Sequence, residues 1–157
     1  MKTEEFETLQ DFVQQGGSIR MLNDVDQKEL DTLYQYAFQL FECKDISAAR
    51  NIFYLLWRID SWSYDYCYSL GLVCQKLNEH HEAIYLFGRA GMIQVDNPLP
   101  SYHAGLSFTA LGNKEYARRS FRASLRWSDG RPEFQEVNEN ASKGLSAVTE
   151  EKNHVSS

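Results

Sequence analysis

The sequence predicts an all-α fold built from three stacked pairs of antiparallel helices. The prediction rests on an internal period of 34 residues, on turn residues that recur with the same period, and on the absence of proline from the first two units. Several columns of similar residues keep this period in phase, which is the mark of a repeat architecture. The columns are Ala49, Ala83 and Ala117; Phe53, Phe87 and Phe121; and Ala37, Gly71 and Gly105.

A 34-residue unit of two helices is a tetratricopeptide repeat (TPR). The small column that begins at Ala37 lies where the second helix of a unit crosses closely, and the Phe53 column fills the space between neighbouring units. Each helix pair alone would leave an apolar face exposed, so that stacking stabilises the array. The sequence therefore predicts three tetratricopeptide repeats in a right-handed α-α superhelix.

Capping and helix-breaking residues set the predicted boundaries. Asp26, with Glu29 three residues later, resembles a capping box that opens the first repeat. Gly130 ends the last repeat helix, and Pro132 can begin a further one. The predicted divisions are an N-terminal helical segment over 1–25, TPR units over 30–63, 64–97 and 98–129 (together 30–129), a C-terminal capping helix over 130–149 and a flexible tail over 150–157.

Composition and charge restrict the partners. Hydrophobic residues make up 43% and charged residues 24%, which is typical of a globular domain. The net charge of -6 disfavours nucleic acid and anionic membranes, since both select a basic face. No stretch has the roughly 20 apolar residues of a membrane span, and the acidic N-terminus does not resemble a signal peptide. We therefore expect a cytosolic protein with no membrane insertion.

One basic stripe departs from the acidic balance. Arg118, Arg122 and Arg126 follow one another at i, i+4 and i+8, with Arg119 beside them. Charge stripes on helices are usually solvated outer faces, which is the interpretation we favour here. A contact with DNA is the alternative.

The chain shows no arrangement that indicates catalysis, a metal or a cofactor. The cysteines form no CxxC pair, and we predict that they are small buried hydrophobes. His80 and His81 lie together on a predicted turn without further nearby ligands. Gly16-Gly17 lacks the strand and the further glycines of a nucleotide loop, so it indicates a helix break. We predict that the protein is not an enzyme. The cysteines are Cys43, Cys67 and Cys74.

The first helix of each unit lines the concave face of a TPR stack. Tyr34, Phe38 and Phe41 follow i, i+4 and i+7 and so share one helix face, while Tyr36 and Leu40 occupy another. A helix with aromatic residues on two faces buries one in its own stack and offers the other to a partner, unless a terminal segment of the chain covers it. The further predicted groove residues are Asp65, Tyr68, Leu72, Lys76, Tyr102 and Leu106.

The groove residues also indicate the kind of ligand. TPR domains that hold a chain-terminal carboxylate use Lys, Asn and Arg at inward-facing positions. Here those positions are apolar or aromatic, for example Phe38, Leu72 and Leu99. The predicted partner is therefore an internal, extended and hydrophobic segment of another polypeptide.

Several stretches give the sequence a specific resemblance. They include Phe12 to Gly17, Trp62 to Tyr66, Leu70 to Gln75, and Glu82-Ala83-Ile84. With the aromatic first repeat they resemble the class II chaperones of type III secretion, the LcrH/SycD/CesD-like family that serves translocator proteins. The resemblance extends over about residues 6–128.

The resemblance implies a function and a set of site residues. Members of this family keep hydrophobic translocators soluble in the bacterial cytoplasm by binding a short extended segment in the concave groove. The family's peptide-contacting aromatics correspond to Tyr34, Phe38 and Phe41, and later groove positions are Tyr68, Leu72, Tyr102 and Leu106. Family members are often homodimers through the N-terminal region, which gives candidate interface residues. These are Phe6, Leu9, Phe12 and Val13.

Two other functions remain open at this point. One is a generic TPR adaptor or regulatory scaffold that links folded proteins. The other is an accessory role in transcription through the stripe from Arg118 to Arg126.

Overall fold

A computed structural model describes the backbone of residues 26–155 and the side chains of residues 26–150. Within these residues the chain is a series of α-helices joined by short turns, with no strand. The predicted all-α TPR architecture is confirmed. The elements are α1 (Gln27–Glu42), α2 (Ile46–Ile59), α3 (Tyr64–Lys76), α4 (His80–Ile93), α5 (Leu99–Ala110), α6 (Lys114–Ser128), a 3-10 turn (Pro132–Phe134) and α7 (Gln135–Val155).

Side-chain hydrogen bonds cap the start of several helices. The Asp26 carboxylate accepts a hydrogen bond from the Lys28 backbone N–H at 3.2 Å, as the predicted cap requires of this residue. Asn97 Oδ1 accepts from the Leu99 N–H at 3.0 Å, and α5 begins at Leu99. Pro98 lies between them, where a missing N–H costs no helical hydrogen bond.

The turn inside each helix pair uses a left-handed residue at one fixed position. Lys44, Asn78 and Gly112 have φ values of 66°, 61° and 77°, and they are one repeat apart in sequence. Glycine adopts this conformation at no steric cost and asparagine tolerates it, whereas lysine is strained there. The repeat therefore fixes the backbone of the turn even where the residue does not favour it.

Two hydrophobic clusters form the interior of the stack. The larger one joins α1 to α5 and includes Phe53, Leu56 and Phe87. The smaller one joins α6 to α7 through Phe121 and Val148. The last helix therefore covers the apolar end of the array, as a stack of helix pairs requires.

Glycines allow the phenylalanine rings to approach neighbouring helices. A Cβ at Gly71 would lie 2.7 Å from the Phe87 ring. One at Gly105 would lie 2.6 Å from the Phe121 ring, and one at Gly144 on α7 would lie 2.7 Å from the same ring. The close crossing of helices therefore explains the column of small residues in the repeat. Gly144 on α7 allows the same close approach to a phenylalanine ring.

One prediction about the cysteines is wrong, and the last helix is longer than predicted. Cys67 and Cys74 are buried as predicted, but Cys43 is exposed, because it lies just past the end of α1. The prediction that all three cysteines are buried is therefore wrong. Helix α7 continues to Val155 and so includes residues that the sequence analysis assigned to the tail. The predicted N-terminal helical segment lies outside the described residues.

Candidate peptide-binding groove

Two columns of side chains run along the first helices of the three units. The first column is Tyr34 on α1, Tyr68 on α3 and Tyr102 on α5. All three tyrosines are half-buried, so part of each side chain remains accessible. The second column, four residues further along each helix, contains Phe38, Leu72 and Leu106.

The α1 end of the groove is an aromatic cluster that packs on the core. The Tyr34 and Phe38 rings meet edge to face, with centroids 4.8 Å apart. Both also contact the buried Phe53 ring, at 5.7 and 5.3 Å. The Tyr34 hydroxyl lies 2.8 Å from Ser69 Oγ on α3, and burial raises the pKa of this tyrosine. Tyr34 therefore joins the first unit to the second, while Phe38 packs against Tyr34 and Phe53 within the first unit.

This packing changes the expectation for Phe38. The sequence predicts that the helix face of Phe38 is offered to a partner. Because Phe38 packs against Tyr34 and Phe53, truncating it removes stability as well as groove surface. A substitution of Phe38 therefore tests binding only if the free energy of unfolding of the variant is measured as well.

The middle of the groove is a stack of tyrosines and a histidine. Tyr64 and Tyr68 lie nearly parallel, with centroids 5.5 Å apart and an interplanar angle of 11°. The Asn97 amide nitrogen donates to the Tyr64 hydroxyl at 2.9 Å. Tyr68 meets the His103 ring edge to face at 5.6 Å, and burial raises the pKa of Tyr68 to about 12. These hydroxyls are therefore neutral at physiological pH.

His103 is held by a polar network that joins two units. Gln75 Nε2 donates to the His103 carbonyl oxygen and to Ser107 Oγ, both at 2.8 Å. Nδ1 of His80 lies 3.0 Å from the same Ser107 hydroxyl. The His103 ring stacks on Phe87 at 5.4 Å, and burial lowers its pKa to about 4. At neutral pH this histidine is an uncharged aromatic member of the groove.

His103 also lies at an inward-facing position in sequence, but it is not among the predicted groove residues. A usable signal was the repeat itself, since His103 occupies the column of Ser69, which contacts the Tyr34 hydroxyl. Its burial depends on Phe87 and Tyr68, which lie far from it in sequence. Only the folded structure brings these rings together.

The α5 end of the groove is bounded by the last helix. Tyr102 lies 5.0 Å from His103 and packs against the cluster that α6 and α7 form, which includes Leu145. Leu106, one turn further on, keeps 37% of its surface exposed. The sequence left open whether a terminal segment of the chain covers the groove aromatics. Helix α7 contributes to the cluster against which Tyr102 packs, so it covers Tyr102 in part.

The remaining predicted site residues differ in how deeply they are buried. Phe41 and Leu72 are half-buried against the larger core cluster. Asp65 and Lys76 are exposed, and the Asp65 carboxylate helps to raise the pKa of Tyr34 and Tyr64. The candidate dimer residues lie outside the described part of the chain. They are Phe6, Leu9, Phe12 and Val13.

The structure also bears on metals and membranes. The described residues contain no group of three His, Cys, Asp or Glu side chains that could hold a metal ion. His80, considered above as a ligand, is instead near Ser107. Among the described helices none has both the length and the apolar character needed to cross a bilayer.

Known proteins resemble this chain in sequence and in fold. Low calcium response locus protein H of Yersinia pseudotuberculosis is 24% identical over 93% of this chain and 88% of its own length. A crystal structure of a type III secretion complex from Aeromonas hydrophila has a TM-score of 0.80 and 27% identity, and covers 94% of this chain and 98% of the other. The chain is similar in sequence and in fold to translocator chaperones of type III secretion. The resemblance seen in the sequence is confirmed.

A third match extends the comparison of folds. The Yersinia enterocolitica chaperone SycD, in complex with a peptide of the translocator YopD, has a TM-score of 0.78 at 21% identity. It covers 82% of this chain and 98% of SycD. No protein-family model matches the sequence. The relationship thus rests on whole-chain similarity and on the shared fold.

Proposed function

We propose that this protein is a chaperone of a type III secretion system that binds hydrophobic translocator proteins and keeps them soluble and ready for export. A short extended segment of the translocator lies in the concave groove. The observation that carries the proposal is the continuous column of Tyr34, Tyr68 and Tyr102 across all three units. The protein acts in the bacterial cytoplasm, where translocators are held before export.

The relatives support this assignment. SycD is a type III secretion chaperone that binds a peptide of the translocator YopD. PcrH, with a TM-score of 0.79 to this chain, binds the chaperone-binding region of PopD. SycD also forms a dimer. We infer that this chain is a homodimer when free and that its N-terminal region, from Phe6 to Val13, forms the contact.

The groove has the chemistry to hold an extended apolar segment. The tyrosines offer large rigid surfaces with little loss of rotamer entropy on binding. The hydroxyls of Tyr68 and Tyr102 can serve the backbone of an extended peptide, which has no internal hydrogen bonds of its own. The groove does not depend on a charged clamp, because His103 is neutral there. Binding therefore selects spaced apolar side chains rather than a chain end.

The proposal requires no catalytic step. The groove tyrosines have raised pKa values and the histidine a lowered one, so that all are neutral and none is poised to accept or donate a proton near pH 7. Their arrangement serves recognition. The protein accordingly acts as a binding protein and not as an enzyme.

Co-expression with a full-length translocator of the same secretion system tests the proposal. The probe variant is Leu106→Glu, which places a charge in the groove at a side chain that is 37% exposed. The matched control is Leu111→Glu, since Leu111 is 40% exposed but lies in the turn after α5. We expect Leu106→Glu to reduce the soluble complex at least about tenfold and Leu111→Glu to leave it unchanged.

The same experiment separates a chaperone from a generic TPR adaptor. A chaperone raises the solubility of a translocator that is insoluble alone, whereas an adaptor binds a partner that is already soluble. Equal soluble yields with and without the chain would overturn the chaperone function. Equal behaviour of Leu106→Glu and Leu111→Glu would instead show that the concave groove is not the binding surface.

A further inference from the structure

A second groove lies on the opposite, convex side of the array. Its walls are α4 and α6, the second helices of the last two units, and its floor is α5. It encloses about 480 Å³. None of the predicted peptide-binding residues lines it, so it is distinct from the concave groove.

Small residues line part of both walls of this groove. Gly88 and Gly91 lie on the α4 wall and Ser120 and Ala123 on the α6 wall, among larger side chains such as Phe87. A Cβ added at Gly88 would meet nothing within 4 Å, which shows that the space beside it is open. At these positions the backbone of another helix can approach closely.

Two exposed apolar side chains line the groove directly. Val95, two residues past the end of α4, is 62% exposed, and Trp127 on the α6 wall is 39% exposed. Tryptophan is enriched at binding surfaces, and exposed apolar side chains that border one groove mark a binding surface better than scattered ones do.

The charge beside the groove is the reverse of that of the whole chain. Helix α6 carries four arginines and one acidic residue, although the net charge of the protein is -6. Arg119 lines the groove and pairs with Glu115 at 2.8 Å. Arg122 and Arg126 are exposed on the outer side of this wall, and neither forms an ion pair within the described side chains. This rim attracts acidic groups.

We propose that the convex groove binds an amphipathic α-helix that carries acidic residues beside its apolar face, and that this helix belongs to the same translocator whose extended segment lies in the concave groove. The inference rests on the proposed function and deepens it. The chaperone then covers a membrane-active helix of its client as well as the extended segment. Free in the cytosol, such a helix would aggregate.

A helix fits the groove better than an extended peptide does. An extended segment needs polar partners for its backbone, whereas a helix satisfies its own. The polar groups of the lining are mostly occupied: the Asn97 amide by Tyr64 and the Leu99 N–H, and the Ser101 hydroxyl by the Pro98 carbonyl. The α6 wall from Arg119 to Trp127 extends about 12 Å at the rise of an α-helix, enough for about two turns of a bound helix.

The test compares two probes, the full-length translocator and its isolated extended segment as a synthetic peptide. The variant Gly88→Leu fills the groove at a position where the fold leaves space. Gly88→Ala is the matched control, since a single methyl group leaves the groove open. We expect Gly88→Leu to lower the yield of soluble full-length complex at least about fivefold and to change the affinity for the peptide less than about twofold. Gly88→Ala should bind both probes as wild type does.

A second variant tests the charge. Arg126→Glu should weaken the full-length complex at low salt and leave peptide binding unchanged, while Arg126→Lys should restore most of the complex. A wild-type yield of full-length complex with Gly88→Leu would overturn the inference and leave the concave groove as the working surface. An equal loss of both probes would overturn it too, as would a changed oligomeric state of the free variant, which would mark the groove as a contact between copies. If the wild type binds neither probe, the proposed function itself fails.

Discussion

Phe121 packs against Gly105 and Gly144, whereas Gly88 faces open space, so that alanine at position 105 and alanine at position 88 should have opposite effects on stability. A Cβ at Gly105 would lie 2.6, 2.7 and 2.9 Å from three carbons of the Phe121 ring. Ordinary contacts begin at 3.4 Å, so the ring would have to move by about 0.8 Å. It is fully buried, and Gly144 on α7 blocks it from another side at 2.7 Å. The added methyl group therefore strains the packing of α5, α6 and α7 together.

Two effects compete in Gly105→Ala. Replacing glycine by alanine inside a helix stabilises it by about 1 kcal/mol. Overpacking a dense core costs about 1–3 kcal/mol. Because the ring has no free side to move into, we expect the second effect to dominate, with a net loss of up to about 2 kcal/mol in the free energy of unfolding. Gly88→Ala meets no atom within 4 Å and should gain about 0.5–1 kcal/mol.

Urea unfolding followed by far-ultraviolet circular dichroism measures both variants. The reasoning would be refuted if Gly105→Ala were stabilised as much as Gly88→Ala, since the contact with the ring would then carry no strain. A double variant adds a check. Phe121→Leu is destabilising alone, but in its presence the alanine at position 105 should cost less, which a double-mutant cycle reports as coupling.

Three further changes test separate parts of the structure. Lys44→Gly should raise the free energy of unfolding by about 0.5–1 kcal/mol, because Lys44 has a φ of 66°; a loss in urea unfolding would contradict this. Tyr34→Phe removes the hydroxyl that contacts Ser69 and should cost about 0.5–1.5 kcal/mol in the same assay; no change would mean that this contact adds nothing. Burial lowers the pKa of His103 from 6.5 to about 4, so that the unfolded chain binds more protons between these values and stability falls as the pH decreases through that window. The loss, up to about 3 kcal/mol, should be smaller in His103→Phe, and identical pH profiles of unfolding for the two proteins would exclude His103 as its source.

The repeat made the fold and part of the groove predictable. A period of 34 residues places equivalent side chains at equivalent points of successive units, so a column in the sequence becomes a line on the surface. Tyr34, Tyr68 and Tyr102 could be assigned to one face in this way, as could the close approach at Gly71 and Gly105. These features depend on the position of a residue within its repeat unit, and the local sequence determines that position.

Features that depend on contacts between units were not predictable in the same way. The network of Gln75, His103 and Ser107 joins residues 28 and 32 positions apart, and the low pKa of His103 follows from its burial among rings of both units. The convex groove is lined by Gly88 on α4 and by Ala123 on α6, which are 35 positions apart in sequence. The sequence by itself determined the helix pairs and their columns. The tertiary structure alone decided which polar groups are desolvated and where space remains between helices, since both depend on distances across the stack.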